Sequence, residues 1–303
     1  MIVAILGRYR GGRRTIGGMV GHVTSSSAAL LDQLPSWVTL VRAANPGPMT
    51  LDGTNTWVLR APGARTSVVV DPGPLEEAHL NAVAGHRPVS LVLATHSHPD
   101  HVEGLPRFRA LAPEAFEAGP DTVINADRLS ITVVPTPGHT AESVCFVVHC
   151  AGERVVLTGD TILGRGTTVV AAPDGDLGQY LDSLGTLLAV GPVPVLPGHG
   201  PALTDCGAAA RFYLDHRLAR LEQVRTARQG GAETAEQVVA LVYADVDRSL
   251  WPAAEMSVRA QLAYLDRESV TRVTPLTSSE GHLRGEQASS GPMIRRQPEG
   301  EAQ

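Results

Sequence analysis

The chain contains no lysine, and all 25 of its basic residues are arginine. Reactions that depend on a lysine amine, as a Schiff base or as a general base, are therefore excluded. Cysteine is also scarce, with Cys145, Cys150 and Cys206 as the full set and no Cys-x-x-Cys pair. Three thiols cannot complete a disulfide framework, so we interpret them as small buried residues and expect a reducing, cytoplasmic compartment.

An excess of positive charge and a long apolar run are missing as well. The formal net charge is −6, which provides no overall basic field for nucleic acid. No apolar run reaches the roughly 20 residues that span a bilayer. The apolar residues 2–6 precede the first arginines, which reverses the order found in a signal peptide. We therefore expect neither a membrane segment nor export.

Changes of pattern divide the chain into four segments. Residues 1–33 are rich in Gly, Arg and Ser and predict a flexible N-terminal extension, whereas residues 34–204 alternate short β-rich runs with helical stretches. That alternation predicts an α/β domain in which helices cover sheets. Residues 205–275 are mainly helical in pattern, and the polar residues 276–303 predict a disordered tail.

Within the α/β segment, β-rich runs predict strands over 56–59, 67–70, 91–93, 131–134, 145–148 and 155–157, and helices are predicted over 75–84 and 179–190. In the C-terminal segment, helices are predicted over 208–228, from a cap at Thr234, and over 253–267, with a short strand over 270–273. Gln237, three residues after Thr234, completes a capping box. Three helices and a short strand favour a winged-helix-like module.

The run His96-x-His98-x-Asp100-His101 carries the clearest chemical signal. It follows the apolar residues 91–94, so we expect it in the loop that leaves a buried strand. Imidazole nitrogens and a carboxylate oxygen are ligands that zinc prefers. A single histidine in a loop is usually solvated or bonded to backbone, but three histidines and one aspartate within six residues favour a metal site.

Three later residues, His139, Asp160 and His199, strengthen this prediction. Each follows a β-rich run and stands next to glycine, which lets the backbone turn sharply. Strand ends gathered on one edge of a sheet are where α/β proteins place their sites. Seven ligands suffice for two Zn²⁺ ions per chain that share an activated water. The first ion is assigned to His96, His98 and His139, the second to Asp100, His101 and His199, and the bridge to Asp160.

These motifs, in this order, resemble the metallo-β-lactamase superfamily. The resemblance implies a four-layer αββα sandwich with metals at its edge, and it implies that Asp71, which matches the family's first motif, supports the ligands. Residues 45–48, 53–56 and 159–168 are similar to the beta-lactamase-like protein 2 family. That group includes single-strand-selective endoribonucleases, and its members carry a small C-terminal winged-helix-like domain, so the similarity extends over residues 38–275.

We expect such a hydrolase, with Asp100 and Asp160 as its catalytic carboxylates, to be a phosphodiesterase or endoribonuclease that acts on single-stranded RNA, with a second substrate class as the alternative. The charge of the C-terminal segment does not favour RNA, because residues 205–275 hold nine Arg against ten Asp or Glu. An arginine stripe on the predicted helix could still offer a basic face. Its members are Arg211, Arg217, Arg220, Arg225 and Arg228.

The other class is a small acyl compound, either a thioester, a lactone or a lactam. Asp160 stands where the best-known zinc β-lactamases carry cysteine, which argues against lactams as the main substrate. A binding protein that has lost catalysis would be expected to lack a ligand, yet all seven are present.

Overall fold

The computed structural model describes residues 33–113, 116–117 and 123–273. The predicted tail and all but the last residue of the predicted extension lie outside the described residues. Two five-stranded sheets form the centre of the fold. The first contains, in spatial order, β1 (Val38–Arg42), β2 (Asn55–Leu59), β3 (Ser67–Val70), β4 (Val89–Leu93) and β5 (Phe116–Glu117). The second has the order β10-β9-β8-β7-β6, with β6 (Val123–Ala126), β7 (Leu129–Pro135), β8 (Val144–Cys150), β9 (Glu153–Gly159) and β10 (Val195–Pro197).

Strands β3 and β4 run parallel inside the first sheet. Both faces of these strands are covered, which is why their sequences are continuous apolar runs. Because successive side chains point to opposite faces, Val68 and Val70 face the second sheet while Val69 faces outward. Phe146 and Leu157 of the second sheet meet them in the core between the sheets.

The helices are α1 (Glu77–Ala84), α2 (Pro99–Val102), α3 (Leu105–Leu111), α4 (Leu177–Val190), α5 (Cys206–Gln229), α6 (Ala235–Val242) and α7 (Trp251–Val273). Helices α1 and α3 cover the outer face of the first sheet, and α4 and the first half of α5 cover that of the second. On the first sheet, Leu80 of α1 and Phe108 of α3 are fully buried, and each such side chain contributes about 1.5–3 kcal/mol. On the second sheet, Leu184 of α4 and Ala210 of α5 are fully buried. The predicted αββα sandwich is confirmed. Among the described residues, no helix is long and apolar enough to cross a membrane.

Helix α5 belongs to two packing units. Tyr213, in its first half, packs in the cluster beneath the second sheet. Leu221 and Val224, in its second half, pack instead with α6 and α7. Thr234 and Gln237 form the predicted capping box at the start of α6. The C-terminal module therefore shares a continuous helix with the sandwich.

The predicted strand over 270–273 is wrong, because the backbone there continues α7 to Val273. Val270 and Thr271 are β-branched and favour a strand by propensity. That preference is weak beside helix propagation, which adds one hydrogen bond for each residue fixed once a helix has formed. The predicted end of this helix at residue 267 was too early for the same reason.

The three cysteines are buried and free of disulfides, which confirms their interpretation as buried residues. Burial raises the pKa of Cys145 to about 11 and that of Cys206 to about 12. Neither thiol is therefore a nucleophile at neutral pH.

Candidate metal centre

Strands that end at one edge of the sandwich carry the predicted site. Because β3 and β4 are parallel, Asp71 and the loop from Thr95 begin at neighbouring strand ends. In the second sheet, β7 and β9 are both antiparallel to β8, and β10 is parallel to β9. Their carboxyl ends therefore share one edge, where the turns after them carry His139, Asp160 and His199. The structure brings all seven predicted ligands together at this edge.

His96, His98 and His139 form one set of ligands, which we name the His96 cluster. The Nδ1 atom of His98 lies 3.1 Å from Nε2 of His96 and 3.1 Å from Nε2 of His139. Ligands bound to a tetrahedral zinc at about 2.05 Å lie about 3.3 Å from one another. These nitrogens therefore have the spacing of ligands around a single ion.

Asp100, His101 and His199 form the second set, the His199 cluster. Oδ2 of Asp100 lies 3.1 Å from Nε2 of His199 and 3.4 Å from Nε2 of His101. The two Nε2 atoms are 3.3 Å apart. This set, too, has the separations expected around one cation. A third set, formed by His96, His101 and Asp160, overlaps the other two, so the assignment of each ligand to one ion stays a prediction.

Asp160 lies between the two clusters. Its Oδ2 atom is 3.4 Å from Nε2 of His199 and 3.8 Å from Nε2 of His139, while its Oδ1 atom is 3.5 Å from Nε2 of His101. The side chain is 11% exposed. Among the described residues, Oδ1 has no hydrogen-bond partner. A buried carboxylate oxygen without a donor is costly, and its position fits the predicted bridge between two cations.

Outer hydrogen bonds set the protonation of three ligand rings. Nδ1 of His101 lies 2.9 Å from Oδ2 of Asp71, and Nδ1 of His139 lies 2.8 Å from the Val169 carbonyl. Nδ1 of His199 lies 3.3 Å from the Gly53 carbonyl. Because those oxygens can only accept, each Nδ1 carries the proton, and in the neutral ring Nε2 is then a lone pair.

Lone pairs that converge at such distances repel one another unless a cation lies between them. Imidazole nitrogens with two carboxylates suit zinc and other borderline divalent ions. Outer partners of this type are also those that fix the orientation of metal-binding histidines. The residues present therefore fit a pair of divalent metal ions.

The charges of the site point the same way. Burial opposes the protonation of His199, but the carboxylates of Asp160 and Asp100 outweigh it and raise its pKa to about 10. Burial also raises the pKa of a carboxyl, yet the imidazoles of His199 and His101 hold the pKa of Asp160 far below its ordinary value. The carboxylates thus create a negative potential that attracts either protons or metal cations.

Asp71 supports the ligand loop as its resemblance to the family implied. Its carboxylate accepts hydrogen bonds from the Thr95 amide at 2.7 Å and the Thr95 hydroxyl at 2.8 Å, besides its contact with His101. The Thr95 hydroxyl also lies 3.0 Å from Nδ1 of His96. The Thr95 side chain packs directly against the backbone of Gly159. A Cβ atom at position 159 would lie 2.3 Å from the Thr95 hydroxyl, so only glycine fits there. Asp71 is therefore linked to both clusters.

Several supporting contacts lie beyond the predicted residues. The Thr54 hydroxyl donates to Oδ2 of Asp100 at 3.1 Å, and the Asn55 amide donates to the Pro197 and Gly200 carbonyls at 3.0 and 2.8 Å. These residues belong to the run 53–56, which the sequence linked to the beta-lactamase-like protein 2 family without assigning a role to either side chain. The signal that could have found them was the density of Thr and Asn beside a strand that is otherwise apolar.

The arginine stripe predicted on α5 does not form a basic surface. Arg217 and Arg220 are buried, with Arg217 donating to the Thr168 carbonyl and Arg220 to the Val242 carbonyl. Arg225 pairs with Glu222 and Glu268, and Arg228 pairs with Asp266. Arg211 is exposed. The helical spacing of these residues placed them on one helix but could not show that this side of the helix packs inward.

Comparison with known proteins agrees with the fold. A sequence profile described as Metallo-beta-lactamase superfamily matches residues 49–115 and 113–199. The Beta-lactamase-like protein 2 homolog of Drosophila melanogaster is 30% identical over 286 residues, which cover 83% of this chain and 95% of that protein. This chain belongs to the metallo-β-lactamase superfamily. The predicted resemblance to beta-lactamase-like protein 2 is confirmed, as is the prediction that the chain is a hydrolase.

Further similar proteins extend this result. An Atrochrysone carboxyl ACP thioesterase of Aspergillus chevalieri is 34% identical and covers 69% of this chain and 74% of that protein. A metallo-beta-lactamase family protein from Thermus thermophilus has the same fold, with a TM-score of 0.63 and 20% identity over 78% of this chain and 95% of that chain. A profile described as Beta-lactamase associated winged helix domain matches residues 234–275. The winged-helix-like domain is thereby confirmed, and its predicted start at residue 205 stays a prediction.

Proposed function

We propose that this metallo-β-lactamase superfamily member is a two-zinc hydrolase of acyl bonds, with thioesters as its first substrate class. The observation that carries the two-metal chemistry is the position of Asp160 within reach of both clusters. Seven convergent ligand atoms provide for two ions and still leave room for water and substrate.

The arrangement of the arginines supports an acyl substrate over RNA. Affinity for nucleic acid depends on basic groups that neutralise phosphates. Arg217 and Arg220 are committed to internal contacts, and Arg165, whose neighbour Gly164 bonds to the His199 carbonyl, pairs with Asp52. A neutral acyl group requires no such cations. The 34% identity to a protein named as an ACP thioesterase supports thioesters within the acyl class.

The contacts of the site residues suggest a separate role for each of them in hydrolysis. When bound, two divalent ions lower the pKa of water and polarise the scissile carbonyl. The outer hydrogen bonds of His101, His139 and His199 hold their Nε2 atoms toward the metal positions. The side chain of Asp100 is 26% exposed. Burial raises the pKa of its carboxyl, but the imidazoles of His199 and His101 outweigh this and lower it to about 2, so the carboxylate stays unprotonated and can accept a hydrogen bond that orients the attacking water.

Single-stranded RNA is the second candidate substrate. The observation in its favour is the coverage of 95% of a beta-lactamase-like protein 2 homolog, including the winged-helix domain. The same site suits phosphodiesters, since paired ions stabilise both the attacking and the leaving oxygen. The exposed Arg211 on α5 is then the first residue to examine for a phosphate contact.

The decisive experiment compares both substrate classes on one preparation. Metal content is measured by plasma mass spectrometry, and we expect about two zinc ions per chain. The same sample is then assayed on acyl-coenzyme A and acyl-carrier-protein thioesters and on labelled single-stranded RNA, with and without chelator.

We expect thioester turnover that the chelator abolishes and that zinc restores. An Asp160→Ala variant must lose both metal and turnover, whereas His149→Ala, which changes an exposed histidine of β8, must keep both. Chelator-sensitive cleavage of RNA with no thioester turnover would replace the acyl proposal with the second candidate. A chain that binds no metal would overturn both.

A further inference from the structure

His79 matches no metal motif, yet it lies directly behind the metal centre. It is on α1 and is 4% exposed. Its Nε2 atom is 2.8 Å from the hydroxyl of Thr56, a fully buried residue of β2. A buried imidazole beside a buried hydroxyl in an otherwise apolar layer is an expensive choice for a helix that could carry leucine here.

The direction of each hydrogen bond can be worked out from the acceptors. The Thr56 hydroxyl donates its proton to the Asp71 carbonyl at 2.6 Å. It must therefore accept from His79, whose Nε2 carries the proton. Burial lowers the pKa of His79, against the charge of Glu76 and the backbone carbonyls of Pro72 and Arg42. The imidazole is therefore neutral, and its single N–H group is the one that donates to Thr56.

Asp71, whose carbonyl accepts the hydrogen bond from Thr56, has a strained backbone. Its φ of 53° is in the left-handed region, which costs an ordinary residue roughly 1–2 kcal/mol. This conformation turns the carboxylate toward His101 and Thr95. The Asp71 amide donates to the Leu93 carbonyl at 2.9 Å, and Thr56 holds the other side of the residue. The strained turn is therefore pinned at both backbone groups.

Gly73 shows how closely His79 is built into this turn. A Cβ atom on Gly73 would lie 2.6 Å from Nε2 of His79 and 3.4 Å from the Thr56 hydroxyl. The Gly73 amide in turn donates to the His101 carbonyl at 2.9 Å. The chain from Asp71 to Gly73 thus wraps around the imidazole and then bonds to a ligand residue.

We propose that His79 is a positioning residue for the metal centre. Its Nε2–H group fixes the Thr56 hydroxyl, the hydroxyl fixes the left-handed turn at Asp71, and that turn aims the carboxylate at His101. His79 touches neither substrate nor ligand. The inference rests on the proposed two-metal site, and it assigns to His79 an effect on metal affinity, mainly that of the His199 cluster.

The test measures zinc affinity by competition with a chelating dye, step by step for the two ions. His79→Phe keeps a ring but removes the donor, whereas His79→Gln keeps an N–H donor. Outer partners of ligands contribute roughly 10–100-fold to metal affinity, and His79 acts one bond further out. We expect His79→Phe to weaken one binding step about tenfold and the other far less, and His79→Gln to bind both ions nearly as the wild type does. Thr56→Val should reproduce the loss, and the double variant should add little to it.

A matched control separates positioning from simple stabilisation. Val83→Ala opens a cavity on the same helix at a fully buried position, so it should lower the urea midpoint of the metal-free protein while both zinc steps stay unchanged. If His79→Phe behaves like this control, the inference is overturned. If it does not fold, Thr56→Val decides the question alone. A wild type without zinc would overturn the metal site itself, whereas a wild type with two zinc ions and an unaltered His79→Phe overturns only the role of His79.

Discussion

The two halves of the metal centre are held in different ways. In the His199 cluster, His101 bonds to the buried carboxylate of Asp71, so a fixed negative charge stands behind the ligand. In the His96 cluster, His139 bonds to the Val169 carbonyl and lies 3.1 Å from the Thr168 hydroxyl. One half therefore has a buried charge directly behind a ligand, whereas the other has loop acceptors and only an indirect link to Asp71 through Thr95. We expect the loss of Asp71 to affect the two halves to different extents.

That loop is itself held by the C-terminal helix. Arg217 of α5 donates to the Thr168 carbonyl, and its guanidinium lies over the Tyr180 ring at 5.1 Å from the centroid. The Tyr213 hydroxyl accepts from the Leu163 amide at 2.9 Å. Through Thr168, the His96 cluster is thus tied to the helix that continues into the winged-helix module, whereas the charged outer partner of the His199 cluster, Asp71, directly follows a strand of the first sheet.

The largest effect on zinc binding is expected from Asp160, the one ligand that belongs to both halves. Because this carboxylate reaches both clusters, Asp160→Ala should reduce zinc from about two ions per chain to less than one and abolish turnover. Metal analysis after dialysis measures the result. His149→Ala is the control. Retention of two ions by Asp160→Ala would mean that the residue does not bridge.

The second largest effect is expected from Asp71, and it should fall mainly on the zinc affinity of the His199 cluster. Asp71→Asn replaces the charge behind His101 with a neutral amide, and we expect one zinc step to weaken roughly 10–100-fold while the other changes much less. Stepwise competition titration measures both. Asp127→Asn provides the matched control, since that exposed carboxylate bonds only to Arg65 and Thr66 among the contacts of the described residues. Equal weakening of both steps would contradict this unequal support.

The reverse pattern is expected for Arg217→Met. Arg217 is 4% exposed, and removing its guanidinium frees the Thr168 carbonyl and loosens the loop behind His139. We expect the zinc step left intact by Asp71→Asn to weaken about tenfold, at the low end for an outer partner. Arg217→Lys should restore little, because an ammonium lacks the planar fork that bonds and stacks together. Arg211→Met, on the exposed side of the same helix, should change neither step. Weakening of the step that Asp71→Asn affects would overturn the comparison.

The sequence predicted that the seven candidate ligands lie together because they share a local signature. Each follows an apolar run, and His139, Asp160 and His199 also stand next to glycine, so strand ends and close turns were visible in the chain itself. The supports could not be found in this way. The carbonyls of Gly53 and Val169 carry no side-chain signal, and Thr56, Arg217 and His79 gain their roles only when distant elements pack together. Arg217 was even predicted to face solvent, because helical spacing gives the side of a helix but not its neighbours.

The smallest expected effect concerns acid sensitivity on the loop side. His216, next to Arg217, is desolvated and lies near the cations of Arg217 and Arg220, which together lower its pKa from 6.5 to about 4. The unfolded chain therefore takes up this proton first as the pH falls. The resulting loss of folding stability is absent above about pH 6.5, grows below that value and is complete near pH 4.

His216→Phe keeps the stack on Phe212 and removes the titrating group. The free energy of unfolding is measured with urea for the metal-free wild type and the metal-free variant, at pH 7 and at pH 5. Between pH 7 and pH 5 the wild type should lose on the order of 1–2 kcal/mol of stability relative to the variant. The metal ligands titrate equally in both proteins, so the comparison cancels them. A difference that does not move between the two pH values would show that the helix holding the His96 cluster has no acid-sensitive contact at His216.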